Sequence, residues 1–156
     1  MAINLTKELL STEPETLAKE IAGKDTSSQI RKFYNDFLIL KTKAEISQSE
    51  EDFQKNVLPL IVFSKAKIAY ALGRSSVQLS KKFADEINKK VDAIETRSDF
   101  ENFLNYYQAL IGYVTFYAKK NEEERQNNRR QNTNNGTRNY QQNNQPRVFV
   151  VKRNNN

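Results

Sequence analysis

The chain has 156 residues, enough for one domain with an appendage, and it contains neither cysteine nor histidine. That composition removes the disulfide framework, the thiol nucleophile, the zinc knuckle, the Ser-His-Asp relay and the commonest transition-metal ligand together. The net charge of +6 is uneven: residues 125–156 hold six Arg and one Lys with no acid, which leaves residues 1–124 at −1.

Enzyme readings therefore start at a disadvantage, and no catalytic residue, metal or cofactor is expected. Carboxylates remain available to hold Mg²⁺, but no DxD or DxN cluster is placed to do so, and Asp52 and Asp85 are the residues a metal-dependent activity would have to use. No window approaches the roughly 18 apolar residues of a membrane span. The opening Met1-Ala-Ile-Asn-Leu-Thr-Lys-Glu8 lacks the basic start and apolar run of a secretion signal. A reducing cytoplasm is the expected setting, with no membrane partner.

Glycine and proline are scarce, and the punctuation is that of helices. A short segment from Leu5 to Leu10 leads into Glu13–Ile21, with Pro14 in the first helical turn and Gly23 just past the end. Thr26-Ser-Ser-Gln29 reads as a capping box. Behind it Ile30, Phe33, Tyr34, Phe37 and Leu38 form an apolar stripe at helical spacing, with Arg31 at its edge and Lys32 on the far side. Ile39 projects outward near Lys32 and Lys43, an apolar residue where water is expected and so a candidate partner surface.

Ser47-Gln-Ser-Glu50 is a second capping box, opening a helix through Phe53 and Val57 that Pro59 should kink or break. The next helix carries Lys65-Ala-Lys-Ile-Ala-Tyr-Ala-Leu-Gly-Arg74, in which Lys67, Tyr70, Ala71 and Arg74 share one face. Two cations and a phenol separated by a methyl group offer a phosphate or a nucleobase a close approach. Ile68 and Leu72 point the other way, toward Leu58 and Ile61. Unbroken helix from Glu50 would put Lys65 on the buried side, so either a break near Phe63–Ser64 or a snorkelling side chain is expected.

Val77, Ser80, Ala84, Ile87, Val91 and Ile94 mark an amphipathic helix with Lys81, Lys82 and Lys89 outward. Ser98-Asp-Phe-Glu101 is a third capping box. The helix after it, from Asp99 to about Lys120, is apolar almost all round, with Tyr106, Tyr113 and Phe116 filling the rest of its circumference. These elements predict an all-α, compact bundle of about five helices over residues 1–124. Residues 125–156, rich in Asn, Gln and Arg, are expected to form a disordered basic tail. The tail could be a solvated appendage or an arm that gathers RNA with Tyr140 and Phe149 as stacking residues. In a third reading, Val148–Val151 adds a strand to a partner's open edge.

Three segments together resemble the small subunit of type III-A CRISPR effector complexes, the Csm small subunit. Thr26-Ser-Ser-Gln-Ile-Arg-Lys-Phe-Tyr34 is similar to its first well-marked helix. Lys65–Arg74 resembles its lysine-rich segment ending in Gly-Arg, and Phe103-Leu-Asn-Tyr-Tyr-Gln-Ala-Leu-Ile-Gly-Tyr113 resembles its closing helix. Order and spacing agree from Leu17 to Lys120. Ala66 stands where the family often has proline. Gln108 and Val114-Thr115 lie where it often has a histidine and an acid, which puts in doubt any interface built on those groups.

The resemblance implies a non-catalytic brick of antiviral defence that stacks in several copies along guide (crRNA) and target RNA. Its implied neighbours are the other Csm effector subunits, including the backbone subunit that cuts the target and the large signature subunit, and further copies of itself. Phosphates would be neutralised by Lys and Arg while base pairing supplies specificity. Helical geometry together with this resemblance selects Arg31, Lys67 and Arg74 as RNA contacts, with Lys32, Lys65 and Tyr70 as further members. Arg31 and Arg74 could instead bridge carboxylates across the bundle. Ile39 and the tyrosines of the last helix are candidates for contacts between copies. The alternative function is a stand-alone helical adaptor whose basic stripe binds an acidic protein partner.

Overall fold

The structure, a computed structural model, describes residues 2–74 and 79–143. Seven helical segments occur among the described residues, and no strand: α1 (Lys7–Leu10), α2 (Thr12–Ile21), α3 (Lys24–Ile46), α4 (Glu50–Asn56), α5 (Leu58–Gly73), α6 (Lys81–Asp92) and α7 (Arg97–Asn143). A single residue, Ser11, separates α1 from α2, and Val57 alone separates α4 from α5. Joined across those breaks, the segments make the all-α bundle of five helices that the apolar periodicity predicts.

Pro59 explains the second break. It occupies the first turn of α5, where its missing N–H leaves no helical bond unmade, and the chain turns just ahead of it at Val57. No break occurs at Phe63–Ser64. Lys65 resolves its conflict the other way: the side chain is half-buried and its Nζ reaches Asp92 Oδ1 at 2.5 Å.

All three expected capping boxes are displaced. α3 starts at Lys24 with Gly23 as its N-cap, so Thr26 lies inside the helix. The cap of α4 is Ser49 rather than Ser47: its Oγ accepts from the Asp52 N–H at 3.1 Å, while Asp52 Oδ2 accepts from Gln48 N at 3.1 Å. Ser47 instead closes α3, donating its hydroxyl to the Ala44 carbonyl at 2.7 Å. At α7 the box is Thr96 with Asp99. Asp99 N–H donates to Thr96 Oγ1 at 3.1 Å, and Thr96 N–H returns to Asp99 Oδ2 at 3.0 Å.

The core forms around the first part of α7, whose Phe100, Phe103, Tyr107, Leu110 and Val114 are buried. Phe37 of α3 meets Phe103 edge-on at 4.9 Å between ring centroids, and Phe83 of α6 meets Tyr107 at 6.0 Å. The Tyr107 hydroxyl donates to the Ile30 carbonyl at 2.9 Å, tying α7 to α3. Tyr106 is also fully buried, and Tyr113 and Tyr117 are half-buried. Of the side chains expected on the outer circumference of this helix, Phe116 is the one that is exposed. Leu72, expected in the core, is 39% exposed, whereas Ala71, expected on the open face, is buried. Val77 lies outside the described residues.

The extended N-terminal segment is pinned to the start of α7. Ile3 N–H donates to Asp99 Oδ1 at 2.8 Å and its carbonyl accepts from Asn102 Nδ2 at 2.8 Å. Burial opposes ionisation of Asp99 most strongly. The hydrogen bonds from Thr96, Ile3 and Glu95 outweigh it and hold the carboxyl below its ordinary value.

Glu50–Gly73 is, contrary to expectation, long and apolar enough to cross a membrane by composition. That segment is two helices broken at Val57, and its Phe53, Val57, Ile61 and Ile68 are buried within the bundle. The chain divides into two compact units, Met1–Asn121 and Glu122–Asn156. The second is helical through Asn143. The positions of Phe149 and of the expected strand Val148–Val151 lie outside the described residues.

Candidate nucleic-acid interface

α5 displays Phe63, Ala66, Lys67, Tyr70, Ala71 and Arg74 at i, i+3, i+4, i+7, i+8 and i+11, a continuous stripe along one side. α3 faces it with Gln29, Lys32, Phe33 and Asp36 at i, i+3, i+4 and i+7. The two stripes line a cleft of about 400 Å³. Its floor is apolar because Phe33 and Ala71 are buried there, and it is open because Ala66 and Ala71 end at a methyl group.

Three cations and one carboxylate line this cleft. Lys67 Nζ reaches Asp36 Oδ2 at 3.3 Å, with the lysine side chain 48% exposed. Arg74, the C-cap of α5, lays its guanidinium over the Tyr70 ring at 5.7 Å from the centroid. Among the described residues, neither Lys32 nor Arg74 has a carboxylate partner. The cleft therefore keeps a net positive charge next to exposed aromatic surface.

The six residues selected from the sequence divide. Lys32, Lys67, Tyr70 and Arg74 converge on the cleft. Lys32 thus stands beside the α5 stripe rather than alone on a far side. Lys65 and Arg31 are directed elsewhere: Lys65 pairs with Asp92 of α6, and Arg31 Nη2 donates to Thr115 Oγ1 of α7 at 3.0 Å. Phe63 was missed by sequence reasoning, although it precedes Tyr70 by two turns of the same stripe and is 59% exposed.

Among the described residues, no group of three or more Asp and Glu side chains could hold a metal ion. Asp52 is engaged by Asn56 Nδ2 at 2.6 Å as well as by Gln48, and Asp85 is paired with Lys81 at 2.9 Å. Burial drives the Tyr106 and Tyr107 hydroxyls far above the ordinary phenol range, so both stay neutral.

No curated protein and no solved structure matches the chain. Residues 4–120 match the family described as Csm2 Type III-A, a span that takes in α1 to α6, the first part of α7 and the residues lining the α3–α5 cleft. A match over that much of the chain shows that it belongs to the Csm2 family, the small subunits of type III-A CRISPR effector complexes.

Proposed function

We propose that this small subunit lies in several copies along the guide–target RNA duplex and contacts RNA phosphates through the α3–α5 cleft. The observation that carries this reading is the convergence of Lys32, Lys67, Tyr70 and Arg74 on one opening, where Asp36 is the one acidic side chain among the described lining residues. A phosphate backbone supplies what those cations lack inside the fold, while base pairing between guide and target supplies sequence. Arg31 and Lys65 are proposed as flanking RNA contacts outside the cleft, each already holding a partner on another helix. The role is structural rather than catalytic, and the setting is a cytoplasmic ribonucleoprotein containing the backbone and large signature subunits.

Ile39, 62% exposed on α3, and the exposed Phe116 of α7 are the apolar side chains proposed to touch neighbouring copies. Tyr106 and Tyr107 leave that list because they are buried.

Fluorescence anisotropy of the full chain on single-stranded RNA and on RNA duplex, across a salt series, tests the proposal. Lys67→Ala with Arg74→Ala should weaken binding roughly ten-fold or more and flatten the salt slope by up to about two units. An unchanged slope in a folded double variant would remove the phosphate site. Loss of RNA binding at low salt alongside binding to an acidic protein would favour the adaptor reading.

A further inference from the structure

We infer that the α3–α5 cleft takes an unstacked nucleobase as well as the adjoining phosphates, with Phe63 and Tyr70 as its stacking surfaces. This rests on the RNA reading above and adds the part of the nucleotide that enters. Phosphate neutralisation alone needs cations within reach of the backbone and no apolar floor or exposed ring. This site is instead a concavity of about 400 Å³ with an apolar floor, within the usual range of about 300–1,000 Å³ for small-molecule sites.

The two rings are the second observation. Phe63 is 59% and Tyr70 68% exposed, and among the described residues the guanidinium of Arg74 over Tyr70 is the one cation or ring laid against either of them. Seven residues apart on α5, they stand about 10 Å apart along the helix axis, so each offers a separate face on which a base can stack. Every base has a π-face, so stacking on such rings needs no particular sequence. Asp36 and Gln29, opposite them on α3, provide an acceptor and an amide at the edge of an inserted base. The net positive lining favours a polyanion over an apolar peptide as occupant. A paired, stacked base does not fit such a cleft; an unpaired nucleotide or one displaced from the duplex does.

The test compares two probes on the full chain: a labelled single-stranded RNA and an abasic ribose-phosphate oligomer of the same length. The RNA should bind about ten-fold more tightly. That gap should shrink toward unity in Phe63→Ala and Tyr70→Ala, with the salt slope kept. Both side chains are exposed, so circular dichroism should show the fold intact. Equal binding of the two probes by the unaltered chain, or a gap that survives both substitutions, overturns the inference. So does a result in which these substitutions alter self-association and leave the gap untouched. Lys67→Ala with Arg74→Ala reads the phosphate contact separately: a flattened salt slope with no base-dependent gap leaves the phosphate reading standing without the base pocket.

Discussion

The lysines between α2 and α6 and those of the α3–α5 cleft are the same residue type in opposite circumstances. Lys90 of α6 is only 12% exposed, holds Glu13 at 2.7 Å and Glu86 at 3.5 Å, and lies 4.2 Å from the Tyr106 ring centroid. Lys82 reaches Glu20 of α2 at 2.6 Å, and Lys81 is answered by Asp85 one turn on. In the cleft, Lys67 pairs with Asp36, and among the described residues Lys32 and Arg74 have no carboxylate partner. Basic residues alone therefore do not mark a binding face in this protein. What marks it is charge left uncompensated beside exposed rings, since Lys82 and Lys90 already bridge α6 to α2 and Lys81 is paired within α6.

Substitutions that separate stability from RNA binding sharpen that contrast. The largest effect on the fold should come from Asp99→Ala, which removes the carboxylate half of the α7 capping box and orphans the buried Ile3 N–H. A loss of about 2–3 kcal/mol in urea unfolding is expected, with RNA affinity per folded molecule unchanged. The same carboxylate gives a pH signature. Its folded-state value lies below the ordinary 3.8, so its contribution is complete above that value and is lost as pH falls through the lower one. In Asp99→Asn this component of the acid-side loss should disappear from a stability–pH profile.

Lys90→Ala ranks next. It leaves Glu13 and Glu86 without their shared cation and Tyr106 without the charge over its ring, for about 1–2 kcal/mol of stability and no change in the RNA salt slope. The smallest effect belongs to Lys82→Ala, which breaks a solvent-exposed pair with Glu20 and should cost below about 1 kcal/mol. If Lys82→Ala instead weakened RNA binding as much as a cleft substitution, the contrast between the two regions would collapse.

The apolar stripes made the helices legible, because burying one face at 3.6-residue spacing leaves little choice. Ile30, Phe33 and Phe37 are buried as their spacing requires, and Pro59 announces a break that the structure places at Val57. The caps were less legible. Ser47 and Ser49, or Thr96 and Ser98, offer equivalent oxygens two residues apart. Tertiary contacts choose between them: Arg97 Nη2 donates to the Ser47 carbonyl at 2.9 Å, and Asp99 must also receive Ile3. Within the site, Lys67, Tyr70 and Arg74 were readable because one helix fixes their relation. Arg31 and Lys65 were not, since Thr115 and Asp92 come from helices whose packing no local pattern encodes. Phe63 was hidden by the habit of assigning phenylalanine to the core, although its spacing from Lys67 and Tyr70 places it on the open stripe.

The most direct measurement sets two double variants of the full chain side by side in RNA-binding salt titrations: Lys67→Ala with Arg74→Ala, and Lys81→Ala with Lys82→Ala. Both remove two positive charges, so any general electrostatic attraction falls equally. The cleft pair should show a slope flatter by up to about two units and roughly ten-fold weaker binding, with the α6 pair close to the unaltered chain. Equal losses in the two variants would contradict a phosphate site in the cleft.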